Sequence, residues 1–399
     1  MAQKIPLWLD CDPGHDDAIA IILAAHNPRL ELLGISTVSG NQTVDKTTIN
    51  AIKMLEAVGR PEIPVYKGAG KPLLRFTKND PEIHGESGLD GTDLLPALDE
   101  QRYIEAYEKN AIEEMAKAIF ASEEKVSLVA LGPLTNIALL VCTYPAVVSK
   151  IKILSFMGGA LKEGNRSAVA EFNILCDPEA AQIVMQAGFE NLVMVPLDVT
   201  HKAIVTQEVL DRIKNSVDPV NSNFCMLVTD ILLFFKSTYS SAFGFHSGPP
   251  LHDPLAVFYV LEPYAFSSKL MRVDVECGFG MCAGQTVCDI WDYEREKPKN
   301  CLVTQDIDLY REKGEFKSVH PVNDDGGSGS ENNSIFEDPR FLKAVERYNN
   351  QMLPTSFNQV NWTSKVLLET IMLPFLQNFI LSISKVLIGR WKRMGGFVG

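Results

Sequence analysis

Four carboxylates stand within eight residues near the start of the chain, at Asp10, Asp12, Asp16 and Asp17. Carboxylates this close repel one another unless a cation lies among them, and hard oxygen ligands suit Ca²⁺ or Mg²⁺ better than zinc. An Asp at the start of a helix also caps free N–H groups and favours the positive end of the helix dipole, but capping explains at most two of these four residues. The spacing therefore predicts a metal site.

Apolar, β-branched runs alternate with helical patterns on both sides of this acidic loop. The apolar runs fall at residues 5–9, 32–38, 126–131, 151–157 and 192–197, and the helical patterns near residues 16–26, 44–58, 104–121, 134–142 and 178–187. Near-continuous apolar strands separated by helices predict an α/β fold with an open, mostly parallel (mixed) sheet flanked by helices, and an active site at the carboxyl ends of its strands. Residues 208–262 are predicted to be helical with a break at 248–250, and residues 270–310 to form a β appendage.

Composition limits the classes of partner. The chain has 399 residues, 46% of them hydrophobic, with a net charge of -13 and a pI near 5.1. Binding to a nucleic-acid backbone needs clustered Lys and Arg, so we expect a small neutral substrate and no nucleic acid. Eight cysteines without a C-x-x-C pair are typical of reduced intracellular thiols, and the first apolar run is too short for a signal peptide. We therefore expect a cytoplasmic protein.

The amino-acid composition of the chain changes near residue 323, and we predict a catalytic domain over residues 1–322. Residues 323–334 have the composition of a flexible linker, and residues 335–399 form an extension of unassigned role. Its apolar helical stretch at 366–388 is long enough to span a bilayer, but several polar side chains and Pro374 make spanning costly. A partner helix is favoured, and a helix lying on an anionic membrane stays an alternative.

Polar side chains beyond the first loop could hold a sugar beside the metal. Asn165, Glu171 and Asn173 follow the strand at 151–157, and carboxylate and amide groups bind the vicinal hydroxyls of a polyol. Asp253 could complete the metal shell, with His252 as a proton donor. Taken alone, a His-Asp pair is more often a cap or a surface pair.

Three other sequence motifs are excluded, each because one or two required residues are missing. An EF-hand loop starting at Asp10 would need an oxygen ligand and a Glu where Gly14 and Ile21 stand. A haloacid-dehalogenase-type phosphatase has Thr two residues after its D-x-D motif, and this position is also Gly14. The Gly-Ala-Gly-Lys run at 68–71 is not a P-loop, because Pro72 replaces the Ser or Thr that would bind Mg²⁺.

Several ordered motifs together resemble the inosine/uridine-preferring nucleoside hydrolase family, over residues 5 to about 320. The motifs are DCDPGHDDA at 10–18, GN at 40–41, HGESGLDG at 84–91, LGPLTNI at 131–137, MGG at 157–159, AEFN at 170–173 and HDP at 252–254. The resemblance implies a Rossmann-like nucleoside hydrolase fold and, as is common in the family, a homo-oligomer.

The resemblance also implies roles for individual residues. A Ca²⁺ ion would be held by Asp12, Asp17, Asp253 and the backbone carbonyl of Leu131, with Asp10 supporting these ligands. The residues expected to contact the substrate are Asp16, Asn41, Asn165, Glu171, Phe172 and Asn173 around the ribose, Met157 against the sugar, and His84 and His252 near the base. Aromatic residues between Tyr239 and Phe245 are expected to form a wall beside the base.

The expected reaction is Ca²⁺-dependent hydrolysis of the N-glycosidic bond of ribonucleosides, in nucleoside salvage. Asp12 would take the proton of the attacking water, and His252, or else His84, would protonate the leaving base. Uridine or another pyrimidine nucleoside is the preferred substrate, and inosine is the alternative. Two alternative functions of other classes stay open: an inactive protein that binds ribose and Ca²⁺, and a D-x-D phosphatase.

Overall fold

The computed structural model of the protein describes residues 3–215 and 222–307. The predicted end of the catalytic domain, the linker at 323–334 and the extension at 335–399 with its apolar stretch lie outside these residues. Those boundaries therefore stay predictions.

The described residues contain ten strands. They are β1 (Ile5–Cys11), β2 (Leu30–Thr37), β3 (Val65–Lys67), β4 (Val126–Ala130), β5 (Ile151–Met157), β6 (Leu192–Val195), β7 (Phe266–Met271), β8 (Val273–Val275), β9 (Thr286–Cys288) and β10 (Cys301–Ile307). Eight of the strands in the described ranges form one sheet in the order β3-β2-β1-β4-β5-β6-β10-β7. Neighbours in this sheet are parallel except β10 and β7, which run antiparallel. The predicted open, mostly parallel sheet is confirmed.

Twelve α-helices accompany these strands in the same residues. They are α1 (His15–His26), α2 (Val44–Ala57), α3 (Pro81–His84), α4 (Glu100–Glu108), α5 (Ala111–Ala121), α6 (Thr135–Thr143), α7 (Phe172–Cys176), α8 (Pro178–Gln186), α9 (Leu197–Thr200), α10 (Gln207–Asn215), α11 (Ser222–Phe243) and α12 (Asp253–Leu261). Short 3₁₀ turns lie at Pro145–Lys150 and Pro263–Ala265.

Helices cover both faces of the sheet, which explains why the strands are apolar on both sides. Along β1, Leu7 and Leu9 face a core layer that includes α1 and α12, whereas Trp8 faces a second layer that includes α5, α6 and α8. All three side chains are buried. Each layer is one continuous cluster of apolar side chains, so the sheet and its helices form a rigid support.

The helix predicted at 104–121 is two helices, α4 and α5. Asn110 lies between them, and its side chain accepts hydrogen bonds from the N–H groups of Ile112 at 3.0 Å and Glu113 at 3.1 Å. An Asn in this position caps the new helix and so interrupts the apolar periodicity.

The β appendage predicted over 270–310 is only partly correct. β8 and β9 form a separate two-stranded antiparallel sheet, but β10 inserts between β6 and β7 in the main sheet. Cys301 and Val303 of β10 are fully buried there, because both faces of an interior strand are covered. β3, only three residues long, was not predicted.

The fold opens a crevice between the carboxyl ends of β1 and β4. The helix after β1 packs on one face of the sheet and the helix after β4 packs on the other, so the chain changes direction between these two neighbouring strands. Ligands bind at such switch points in open α/β sheets. The acidic loop follows β1, and Leu131 follows β4.

Within the described ranges, no helix is both long enough and apolar enough to cross a membrane. All eight cysteines fall in these ranges, and none of them forms a disulfide.

Candidate active site

Three carboxylates meet at the N-terminal ends of α1 and α12. Asp16 and Asp17 lie in the first turn of α1, and Asp253 is the first residue of α12. One side-chain oxygen of each lies within 4.8 Å of the others. The positive ends of two helix dipoles are therefore directed at this cluster, which favours anionic groups. The structure brings together two predicted metal ligands, Asp17 and Asp253, and adds Asp16, which was expected to bind ribose.

Asp12 lies beside this group rather than in it. Its Oδ2 accepts a hydrogen bond from the backbone N–H of Asn41 at 2.7 Å, while its Oδ1 has no hydrogen-bond partner among the described residues. Gly40 and Gly132 flank the carboxylate so closely that a Cβ at either position would clash with it. These two glycines leave room for a buried carboxylate oxygen that can still bind a cation or accept a proton.

Burial and mutual repulsion make the charged cluster costly without a cation. Burial, followed by the charge of Asp17, raises the pKa of Asp12 well above its ordinary value, and the same two causes raise the pKa of Asp16 to about 7. Burial, followed by the charge of Asp16, raises the pKa of Asp253 strongly. Desolvated like charges are stabilised by an ion placed among them. The donor atoms are all oxygens, and Asp12 Oδ1 among them has no partner in the described residues, so the set fits a hard divalent cation such as Ca²⁺ or Mg²⁺.

Asp10 fixes the acidic loop from the end of β1. Its Oδ1 accepts hydrogen bonds from Ser36 Oγ at 2.5 Å and Asn136 Nδ2 at 2.7 Å. Asn136 Nδ2 also donates to the carbonyl of Thr37 at 2.9 Å. Burial raises the pKa of Asp10 to about 7, against the opposing effect of these hydrogen bonds. The network joins the ends of β1 and β2 to the start of α6, which agrees with a supporting role.

The groups expected to bind ribose are held at the start of α7. The Glu171 carboxylate caps this helix by accepting from the N–H groups of Asn173 at 2.9 Å and Ile174 at 3.2 Å. Burial raises the pKa of Glu171 to about 7, although these backbone bonds oppose the rise. Asn165 Oδ1 accepts from the N–H of Phe172 at 2.9 Å. The capping bonds fix the orientation of these side chains before a ligand arrives.

The carbonyl of Leu131, the predicted backbone ligand, faces Asn173. Asn173 Nδ2 donates to this carbonyl at 2.7 Å and to the carbonyl of Met157 at 3.2 Å. A carbonyl oxygen has two lone pairs, so the Leu131 oxygen keeps one for a cation. Met157 ends β5 and is buried against the same amide.

His252 is held at both ring nitrogens. Its Nδ1 is 2.7 Å from Thr200 Oγ1, and its Nε2 is 2.7 Å from the hydroxyl of Tyr239. Burial lowers the pKa of His252 well below its ordinary value, and His201 adds to this effect. Phe243 lies one turn after Tyr239 on α11, with their ring centres 5.1 Å apart. Two aromatic side chains of the segment expected to form the wall thus lie together, and the Tyr239 hydroxyl is hydrogen-bonded directly to the imidazole.

His84 approaches the acidic loop from α3. Its Nδ1 accepts from the backbone N–H of His15 at 3.2 Å, and the Nδ1 of His15 lies at the same distance. His15 Nε2 is 2.9 Å from the carbonyl of Asp90, to which it can donate. Gly14 permits this packing, because a Cβ there would lie 2.6 Å from Cε1 of His84. Sequence reasoning assigned no role to His15.

One pocket gathers most of the predicted residues. Those that line it are Asp16, Asn41, His84, Leu131, Met157, Asn165, Glu171, Phe172, Asn173, His252 and Asp253. Asp12 and Asp17 are buried next to them, where Asp17 Oδ2 accepts from Asn41 Nδ2 at 3.1 Å.

The pocket is also lined by residues without a predicted role, namely Asp80, Ile83 and Arg166. Tyr239 and Phe243 line it too, although the sequence did not place the aromatic wall securely. Their spacing of four residues on one helix was a usable signal, as was the position of Arg166 directly after Asn165.

A Rossmann-like sheet with buried carboxylates at its switch point, next to amide groups that suit a sugar, is the arrangement expected of an enzyme that binds a sugar beside a divalent cation. The sequence narrows this class further, because residues 7–313 match the family model "Inosine-uridine preferring nucleoside hydrolase". The chain belongs to that family and is a ribonucleoside hydrolase.

Relatives and solved structures agree with this assignment. A "Probable ribonucleoside hydrolase" from Dictyostelium discoideum is 43% identical over 77% of this chain and 92% of its own length. "Pyrimidine-specific ribonucleoside hydrolase RihA" from Escherichia coli is 43% identical over 77% of this chain and 95% of its own. The solved "Purine-Preferring Ribonucleoside Hydrolase" from Gardnerella vaginalis is 28% identical with a TM-score of 0.69, over 76% of this chain and 94% of its own.

Proposed function

We propose that this protein is a Ca²⁺-dependent ribonucleoside hydrolase that releases ribose and a free base and prefers pyrimidine nucleosides such as uridine. The observation that carries this proposal is one pocket in which a buried acidic cluster faces both sugar-binding amides and the His252–Tyr239 pair. The pocket thus offers groups for each part of a nucleoside.

The sugar is the part of the substrate that these groups bind most specifically. Cleavage of the N-glycosidic bond builds positive charge on the ribose ring, so the groups around the ring must favour an oxocarbenium-like state. The carboxylates of Asp16 and Glu171 lie on the pocket wall and supply negative charge, while Asn173 and Asn165 supply donors and acceptors for the hydroxyls. Capping bonds hold Glu171 in place, so little reorganisation is needed.

Asp12 is the base that accepts the proton of the attacking water. Its Oδ2 is held by the Asn41 N–H, while its Oδ1 is unpartnered within residues 3–215 and 222–307. Asp12, Asp17, Asp253 and the Leu131 carbonyl would hold the cation. A Ca²⁺ ion there would supply positive charge that offsets the carboxylates and favours ionisation of the water.

The leaving base receives its proton from the His252–Tyr239 pair. When Thr200 Oγ1 donates to His252 Nδ1, the ring proton lies on Nε2 and is donated to the Tyr239 oxygen. The Tyr239 O–H can then give its proton to a base in the pocket, and the tyrosinate that remains keeps the hydrogen bond from His252 Nε2–H. His84, on the same pocket wall, is the second candidate.

The pyrimidine preference is supported by the named relatives. The relative named pyrimidine-specific shares 43% identity with this chain, and the solved structure named purine-preferring shares 28%. The family description covers both inosine and uridine, so inosine is the second candidate substrate.

The test is release of ribose from uridine, cytidine, inosine, adenosine and guanosine, before and after treatment with a chelator. We expect turnover that is fastest on uridine or cytidine, is lost with the metal and returns with Ca²⁺. Asp12→Asn should remove this turnover, while Glu123→Gln, a charge change at an exposed residue before β4, should not. Bound Ca²⁺ with no ribose from any nucleoside would show a binding protein, and phosphate release from nucleotides would show a phosphatase.

A further inference from the structure

Arg166 makes an ion pair inside the pocket that the reaction does not require. Its Nη2 donates to Asp80 Oδ2 in a close ion pair, and its Nη1 lies 3.5 Å from Glu82 Oε2. The guanidinium carbon lies 5.2 Å from the ring centre of Phe243. The side chains of Arg166 and Asp80 are only 21% and 12% exposed, so their attraction is screened less than that of a surface pair.

This ion pair joins two loops that carry the site. The backbone N–H of Asp80 donates to the carbonyl of Asn41 at 3.0 Å, and the carbonyl of Asp80 accepts from the N–H of His84 at 3.1 Å. Arg166 directly follows Asn165 on the other loop. A charge placed near Arg166 is therefore also placed near the ribose-binding side chains.

This step rests on the proposed function. If the substrate is a ribonucleoside, the covalent structure of ribose determines which part of it lies near Arg166. If the vicinal 2′ and 3′ hydroxyls face the carboxylate cluster, then C1′ and C4′ lie on the opposite edge of the ring. The base on C1′ faces the wall of His252 and Tyr239. Asn165 and Arg166 line the pocket beside these residues, which leaves them for the 5′ group on C4′.

We propose that the Arg166–Asp80 ion pair determines specificity by restricting the enzyme to substrates with an uncharged 5′ group. Arg166 is neutralised by Asp80, and Glu82 adds a further negative charge beside it. A 5′-phosphate brings about 1.5 to 2 negative charges and several strong acceptor oxygens. It would meet Asp80 and Glu82, and Arg166, the one Lys or Arg among the described residues that line the pocket, is already paired. An unpaired arginine, in contrast, is an effective phosphate ligand.

The test compares uridine with uridine 5′-monophosphate, with ribose and ribose 5-phosphate as separately measured products. Because like-charge contacts are costly, the wild-type kcat/KM for the nucleotide should be lower than that for uridine by a factor of about 100 at least. Asp80→Asn frees Arg166 for the phosphate and should raise the nucleotide-to-uridine ratio of kcat/KM by about 10-fold or more. Arg166→Gln leaves Asp80 unpaired and should lower the ratio. Glu123→Gln, which removes one negative charge before β4, should leave it unchanged.

Inhibition of uridine hydrolysis by the nucleotide gives a second measurement where its cleavage is too slow to follow. Its Ki should fall in Asp80→Asn and rise in Arg166→Gln. Equal wild-type activity on both substrates would overturn the proposal, as would the same gain in Asp80→Asn and in the double variant Asp80→Asn/Arg166→Gln, since the gain must depend on arginine. A wild-type enzyme inert towards uridine would instead contradict the proposed function.

Discussion

Replacement of Asp253 by Asn tests whether the acidic cluster is built around a cation. A side-chain oxygen of Asp253 lies within 4.8 Å of one of Asp17, and an Asn amide at position 253 can donate to Asp17 without adding charge. The variant should therefore be more stable than the wild type when no metal is bound. It should also gain less from Ca²⁺, because one charged ligand is lost.

The magnitude follows from the separation of the carboxylates. Two charges within 4.8 Å of each other interact by about 3 to 4 kcal/mol at an effective dielectric constant of about 20. Proton uptake relieves part of this repulsion, at about 1.4 kcal/mol per pKa unit, so we expect a gain of about 1 to 2 kcal/mol in the metal-free variant. A Ca²⁺ concentration of about 100 Kd stabilises the wild type by about 2.7 kcal/mol. At about 1 to 2 °C per kcal/mol for a chain of this length, the wild-type Tm should rise by about 3 to 5 °C.

Thermal unfolding in a chelator and then in increasing Ca²⁺ measures both effects. We expect Asp253→Asn to melt about 1 to 4 °C above the wild type in the chelator and to gain less than half of the wild-type Ca²⁺ shift. Glu123→Gln removes one charge from an exposed residue and should follow the wild type in both conditions. A variant that melts below the wild type in the chelator, yet gains the full shift with Ca²⁺, would refute this account of the cluster.

Three further substitutions test the chemistry of the pocket. His252→Ala should lower kcat by about 10² to 10⁴-fold while nucleoside binding persists, as followed by steady-state kinetics. Tyr239→Phe should lower kcat by about 10-fold or more, because the leaving base loses the O–H that protonates it; unchanged kcat would exclude the hydroxyl from proton transfer. Gly14→Ala should displace His84, since the new Cβ would lie 2.6 Å from Cε1, and cost about 1 to 3 kcal/mol in unfolding free energy by denaturant titration.

Local sequence patterns predicted the parallel strands because each carries a near-continuous apolar run. They could not assign β10 to the main sheet, since its choice of neighbours depends on residues far away in the chain. They also could not show that Asn110 starts a new helix, because a single capping residue is a weaker signal than a continuous helical pattern. The errors thus occur where a tertiary contact or one side-chain hydrogen bond overrides a repeating pattern.

Site residues that stand in short sequence motifs could be predicted. Residue pairs that form between different loops could not. Asp16, Asp17 and Asp253 carried signals because they stand in short polar motifs at strand or helix ends, and the structure brings them together. Arg166 and Asp80 stand in different loops, and nothing in either local sequence indicates the other. Only folding of both loops over the same pocket reveals the ion pair.

The rigid scaffold around the acidic cluster explains how like charges can be held close together. Buried like charges are destabilising, so they persist only where neighbouring structure fixes the side chains more strongly than repulsion moves them. Here the Asn41 amide, the glycines beside Asp12 and two helix N-termini provide that constraint. A cation then binds without much rearrangement, and the energy that would otherwise order its ligands is available for affinity. The same constraint leaves Asp12 Oδ1 without a hydrogen-bond partner among the described residues, as the proposed role of Asp12 as the base for water requires.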